Sequence, residues 1–125
     1  MLFRSSEEEY LEFARPPYAV DPIREPMLQD LLEKGIRCRL IFDTVIAEQE
    51  NGKDRLDTLE KAGAEVRRAK DLPLKLALFD NTRGMISLDD PVVSSPQLTA
   101  LVFEHKSLAA AMRSLFDDFW SRAKA

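Results

Sequence analysis

The sequence is poor in the residues that most often mark a chemical site. It has one cysteine, one histidine and four glycines in 125 residues. A single cysteine excludes a disulfide framework within the chain. A free thiol suits a reducing compartment, and Cys38 falls in an alternating apolar pattern, where it reads as a small core hydrophobe. One histidine and one cysteine cannot build a Cys/His metal cluster, so no metal or cofactor is expected. The glycines lie far apart, which removes a phosphate-cradling loop. A nucleophile–base pair would have to use His105, and nothing around it has the form of a nucleophile elbow.

An excess of positive charge is also missing. Lysine and arginine number 18 against 22 aspartates and glutamates, a net charge of −4. A mildly acidic domain binds nucleic acid poorly on its own. The closest basic grouping, Arg67-Arg68 with Lys70, is short and reads as a solvated strand end. No apolar run reaches the length of a membrane-spanning helix. The N-terminus turns acidic at Glu7-Glu8-Glu9 and lacks the form of a signal peptide. A cytoplasmic protein without membrane contact is expected.

What remains is the material of an ordinary core. Apolar residues make up 45% and charged residues 32% of the chain. The length fits one domain over residues 1–125, with residues 1–8 expected to fray. Such a domain can bury a core without disulfides or metal.

The apolar pattern then divides the chain. Residues 9–14 alternate around Tyr10, Leu11 and Phe13 and predict a first strand. Arg15-Pro16-Pro17-Tyr18 stops it, because proline lacks a donor and restricts its predecessor. Pro26 suits a helix start, Met27, Leu28, Leu31 and Leu32 form one helical face, and Gly35 ends it. Residues 36–43 alternate as a strand with Ile36, Cys38, Leu40 and Phe42 on one side. Asn51-Gly52 marks a turn, 54–62 a helix closed by Gly63, and 64–69 a short strand with Val66 inward.

Residues 74–79 are almost continuously apolar, as expected of a central strand covered on both faces. Asp80 to Gly84 is rich in turn formers, and Met85 to Leu88 returns as a hairpin arm. Leu98 to Glu104 predicts another strand. Ser107 is placed to cap a last helix, whose stripe of Leu108, Met112, Leu115 and Phe119, with Trp120 beside it, reads as core packing. The order β-α-β-α-β-β-β-β-α predicts an α/β domain with a mixed sheet and packed helices.

One constellation carries chemistry. In Leu72-Pro73-Leu74-Lys75-Leu76-Ala77-Leu78-Phe79-Asp80, Lys75 and Asp80 have the spacing of His-x-Lys-x(4)-Asp, on a strand entering a hairpin. This stretch resembles the phospholipase D superfamily signature, with Pro73 where the histidine would stand. The wider chain, over most of residues 9 to 122, resembles the degenerate form of that fold found as the sensor domain of TrmB-type and LuxR-type transcriptional regulators. The blocks that carry the resemblance are Arg15-Pro16-Pro17-Tyr18, Leu31 to Arg39, Leu72 to Lys75 and Leu115 to Trp120.

Active members of that superfamily use the histidine as a nucleophile on phosphorus, and a partner histidine protonates the leaving group. Proline has no nucleophilic nitrogen, and an ordinary lysine is protonated at neutral pH. The return strand also lacks the family's Gly-Ser pair and reads Met85-Ile86-Ser87-Leu88. The resemblance therefore implies a non-catalytic module. Two readings of Lys75 and Asp80 stay open. They are either a retained polar pocket for an anionic or sugar-like effector, with Arg15 and Tyr18 on a rigid wall, or a hairpin in which Asp80 starts the turn and Lys75 pairs locally.

The resemblance further implies a symmetric homodimer. It implies DNA contact only through a helix-turn-helix segment that this sequence does not contain. A ligand-free dimerisation module is the alternative. The less favoured third reading is a phosphodiesterase or nuclease, which would require His105 to fold close to Lys75.

Overall fold

A computed structural model describes residues 9–16, 21–89 and 98–124. The segments 1–8, expected to fray, and 17–20, which includes Tyr18, lie outside the described residues. Six strands form one sheet: β1 (Glu9–Ala14), β2 (Arg37–Asp43), β3 (Glu65–Ala69), β4 (Lys75–Phe79), β5 (Arg83–Asp89) and β6 (Leu98–Glu104). Four helices join and cover them: α1 (Pro26–Glu33), α2 (Val45–Glu48), α3 (Gly52–Lys61) and α4 (Lys106–Arg122). The strand order is β3-β2-β1-β4-β5-β6.

The sheet has two halves with different grammar. β1, β2 and β3 run parallel, and parallel neighbours need crossovers, here supplied by α1 and by α2 with α3. β4, β5 and β6 form an antiparallel meander. The halves join where β1 meets β4 antiparallel, with Glu12 opposite Ala77 and Phe13 opposite Leu76. α1 and α3 each end on a glycine at positive φ, Gly35 at 77° and Gly63 at 114°, a backbone state that L side chains adopt only at a cost.

Strand alternation divides the core in two. Tyr10, Cys38, Leu40, Phe42 and Val66 face α1 and α3 and pack with Leu28, Leu56 and Leu59. Leu11, Phe13, Ile41, Leu76, Leu78 and Ile86 face α4 and meet Ala109 and Phe116. Cys38 is fully buried, as expected of a core thiol.

α4 is held by an aromatic and cationic stack. Phe116 lies 5.6 Å from Phe13 and 5.7 Å from Trp120, ring centre to ring centre. The Arg39 guanidinium sits over both Phe116 and Trp120, at 5.4 and 5.5 Å. Its charge is buried, which is costly unless paired. Glu9 supplies the pairing, with Oε2 3.0 Å from Arg39 and Oε1 2.8 Å from Arg113 of α4.

Several expectations need correction. Arg67 is not a solvated strand end. Its guanidinium lies 4.1 Å from the centre of the Trp120 ring, and it donates to the Trp120 carbonyl. Ser107 is not the cap of α4. His105 takes that place, its Nδ1 accepting from the backbone N–H of Ser107 at 3.1 Å and of Leu108 at 3.4 Å. The turn at Asn51-Gly52 is preceded by the short helix α2, which the apolar pattern did not reveal.

Among the described residues, β4 is fully covered on one face and only partly on the other. Leu76 and Leu78 are buried beneath α4, while Lys75, Ala77 and Phe79 are partly exposed on the other side. The same face of β5 and β6 carries no helix among the described residues, and Met85 and Val102 are 41% and 75% exposed. The continuous apolar run therefore reflects a closed core on one side and a partly covered face, where Ala77 and Phe79 pack against the α1-side core, on the other.

Candidate functional site

The partly covered face of β4 becomes a pocket where it meets α1. The pocket holds about 370 Å³ and is lined from β1, α1, β4 and β5. Its floor and walls are mostly apolar, with Phe13, Met27, Ala77, Phe79 and Met85 among them. Six polar side chains also line it: Tyr10, Glu12, Arg15, Glu25, Lys75 and Ser87. A mostly apolar cavity with a few convergent polar groups is the usual form of a small-molecule site. The position follows from topology. α1 lies over the β2 side of β1, while on its β4 side the sheet passes into the antiparallel meander, so the crevice opens between α1 and β4.

Glu12 sits in the middle of this arrangement. It is the inward residue between Tyr10 and Ala14 on β1, with Leu40 of β2 and Ala77 of β4 as cross-strand neighbours. The Tyr10 hydroxyl donates to Glu12 Oε1 at 2.7 Å. Burial pushes the Glu12 carboxyl up to about 7; the Tyr10 hydrogen bond opposes this and the nearby Glu25 carboxylate adds to it. Burial, reinforced by Glu12, likewise raises the Tyr10 phenol well above its ordinary value and the Cys38 thiol to about 11. Glu25 also caps α1, accepting the Leu28 N–H at 2.9 Å.

The sequence-derived candidates separate. Lys75, the first residue of β4, and Arg15, just past β1, both line the pocket. Tyr18 lies outside the described residues. Asp80 does not line the pocket; it follows the last residue of β4, about 16 Å along the strand from Lys75. Its carboxylate accepts the Glu9 N–H at 3.0 Å, and its own N–H donates to the Glu9 carbonyl at 3.0 Å. With φ of 52° at Asp80 and 59° at Asn81, the hairpin has the pattern of a type I′ turn. The turn-forming reading of Asp80 thus has direct geometric support. Asp80→Ala is expected to cost about 1–2 kcal/mol in urea unfolding, from one buried-edge hydrogen bond and a left-handed backbone, without changing what the pocket retains.

His105 is also remote from Lys75. It is exposed, caps α4, and its N–H donates to the Thr82 carbonyl at 2.9 Å, beside the hairpin turn at the other end of β4. Pro73 stands exposed ahead of β4. Among the described residues, the pocket lining contains no histidine or cysteine, and no group of three or more potential ligands is placed to hold a metal ion.

Solved structures with the same architecture include two of different kinds. TrmBL2, an archaeal chromatin protein whose structure shows a novel mode of DNA binding, superposes with a TM-score of 0.74 at 14% identity. Nuc from Salmonella typhimurium, a phospholipase D family member, superposes with a TM-score of 0.72 at 13% identity.

This is a phospholipase D-type fold.

Each superposition covers 93% of the chain, which spans 44% of TrmBL2 and 80% of Nuc. The chain thus corresponds to less than half of the chromatin protein and to most of the Nuc chain. At these identities the likeness is one of fold. No family model matches the sequence, and no curated protein matches it. No described helix is long and apolar enough to cross a membrane.

Glu12, Tyr10 and Glu25 were not singled out from sequence. The available signal was a carboxylate at an inward position of an alternating strand. It became visible only once both faces of β1 proved to be buried.

Proposed function

We propose that the chain is a non-catalytic ligand-sensing domain on a phospholipase D-type scaffold, of the kind that serves a transcriptional regulator. The observation that carries this reading is the pocket where Lys75 and Arg15 meet an apolar floor, at the strand that keeps the lysine of the signature and has Pro73 in place of its histidine. Lys75 and Arg15 supply positive charge and donors for an anionic or hydroxyl-rich group. The described lining can hold such a group but lacks the imidazole that serves as the nucleophile in that signature. TrmBL2 gives a precedent for this fold in a DNA-binding protein. Here DNA contact would come from a helix-turn-helix segment outside this sequence.

Dimerisation is the second part of the reading. Met85, Leu88, Leu101 and Val102 are large apolar residues left exposed on β5 and β6. Met85 and Val102 are cross-strand partners on the face away from α4, whereas Leu88 and Leu101 lie on the other face; the Met85–Val102 patch beside the pocket suits a self-complementary contact with a second copy. A pocket in one subunit and a contact surface on the adjoining strands would let ligand occupancy bias pairing.

Native mass spectrometry of the intact chain tests both parts. The expected result is a dimer that retains extra mass, with the extra mass lost in Lys75→Ala and kept in Asp80→Ala. A clean dimer would leave dimerisation alone as the function. A clean monomer that hydrolyses a chromogenic phosphodiester, with activity lost in His105→Ala, would replace the sensing reading with an enzymatic one.

A further inference from the structure

Glu12 is a carboxylate in a largely apolar pocket, and no cation among the described residues pairs with it. Its one hydrogen-bond donor there is the Tyr10 hydroxyl. The other acid of the lining, Glu25, is engaged at the N-terminus of α1, where a negative charge is favoured. The two basic residues stand elsewhere. Lys75 begins β4 at the level of Ala14, since Leu76 pairs with Phe13, and Arg15 follows β1. Both are two or three residues beyond Glu12, about 7–10 Å along the strand. The pocket is thus polarised, acidic over the middle of β1 and basic toward its end, with Phe79, Met27, Met85 and Ala77 as apolar surface.

We propose that this pocket takes a ligand bearing a protonated amine, with the ammonium docked on Glu12 and its apolar body lying against Phe79, Met27 and Met85. This inference rests on the pocket being a ligand site and names the chemical class of the ligand's head. A partly desolvated carboxylate without a counterion is disfavoured. An ammonium brings the missing charge and donors, and a charge-assisted hydrogen bond is stronger than a neutral one.

Binding would also be coupled to a proton. The groups around Glu12 are Tyr10 from its own strand, Cys38 from β2 and Glu25 from α1, with Lys75 and Arg15 farther along the same pocket. The phenol and the thiol are held neutral by burial. Glu12, held near 7, is the group an incoming ammonium would ionise. At pH 7 the ligand would displace about half a proton per site.

Titration calorimetry on the intact chain tests this with three probes that share one apolar body: phenethylamine, 3-phenylpropionate and 2-phenylethanol. Measurements at pH 7 in two buffers of different ionisation enthalpy report the proton. The amine is expected to bind at least tenfold more tightly than the alcohol, with a buffer-dependent heat that shows proton release. In Glu12→Gln, which keeps an oxygen for the Tyr10 hydroxyl, the amine and the alcohol should become equal. If the anion or the alcohol binds as tightly as the amine, or if the amine binds Glu12→Gln undiminished, the amine assignment is wrong and the pocket stands. If none of the three binds at millimolar concentration, the pocket reading falls with it.

Discussion

Replacing Phe116 by alanine is expected to remove about 3–5 kcal/mol of folding stability, the cost of emptying a large aromatic site in a packed core. Phe116 is fully buried. One side of its ring meets Phe13 of the central strand and another meets Trp120 of its own helix. The deletion also takes away one of the two rings that the buried Arg39 guanidinium covers. Arg39 already has a buried Nε without a hydrogen-bond partner, so it has little left to compensate with. Phe119→Ala, at a partly buried position packed edge-on to Phe13, should cost less. Urea unfolding of both variants at pH 7 gives the comparison. A loss below about 1 kcal/mol for Phe116→Ala would mean that α4 adds little to the sheet it covers.

Glu12→Gln is expected to stabilise the protein, and only on the alkaline side. In the folded chain Glu12 titrates near 7, against 4.5 for an unperturbed glutamate. The folded state therefore holds this proton more tightly than the unfolded state does. Below pH 4.5 both states are protonated and the residue costs nothing. As pH rises from 4.5 to 7 the unfolded chain gains by ionising while the folded chain does not, and stability falls. Above 7 both are ionised and the loss is complete. At about 1.4 kcal/mol per pH unit the loss amounts to roughly 3 kcal/mol. The glutamine variant avoids it. Its melting temperature should exceed that of the parent at pH 8, converge with it near pH 4, and lack the parent's decline between. Equal melting curves at pH 8 would show that water reaches the Glu12 carboxyl freely.

Much of the fold was legible because its punctuation is local. Gly35 and Gly63 end helices at backbone angles that few other residues tolerate, and each is followed by a strand whose apolar residues alternate. The Asp80-Asn81 turn announced itself by composition in the same way. The failures share a different cause. β4 reads as doubly covered because its residues are apolar, but coverage depends on which helices lie over it, and α1 and α3 stop at the parallel half. Arg67 looks solvated until Trp120 arrives from more than fifty residues away. Ser107 is the stronger cap former by type, but His105 has the extended backbone of a cap position, from which its ring reaches the free N–H groups.

The candidate site divides along the same line. Lys75 and Arg15 were found through a spacing and a rigid dipeptide, both written in the chain. Glu12 needed the sheet order. Its significance comes from Leu40 and Ala77 on either side and from α1 above, all contributed by distant segments.

The strand order has a further consequence for cooperativity. β1 comes first in the chain yet lies at the centre of the sheet, and its ladder to β4 pairs Tyr10 with Phe79. The parallel half and the meander have no other strand-to-strand hydrogen bonds between them. Each could form from neighbouring segments with short loops to close, whereas the seam must wait for a loop of nearly seventy residues. With the pocket built across that seam, its walls come from both halves of the sheet, and a molecule that bridges β1 and β4 would act as a staple on the least local ladder of the fold.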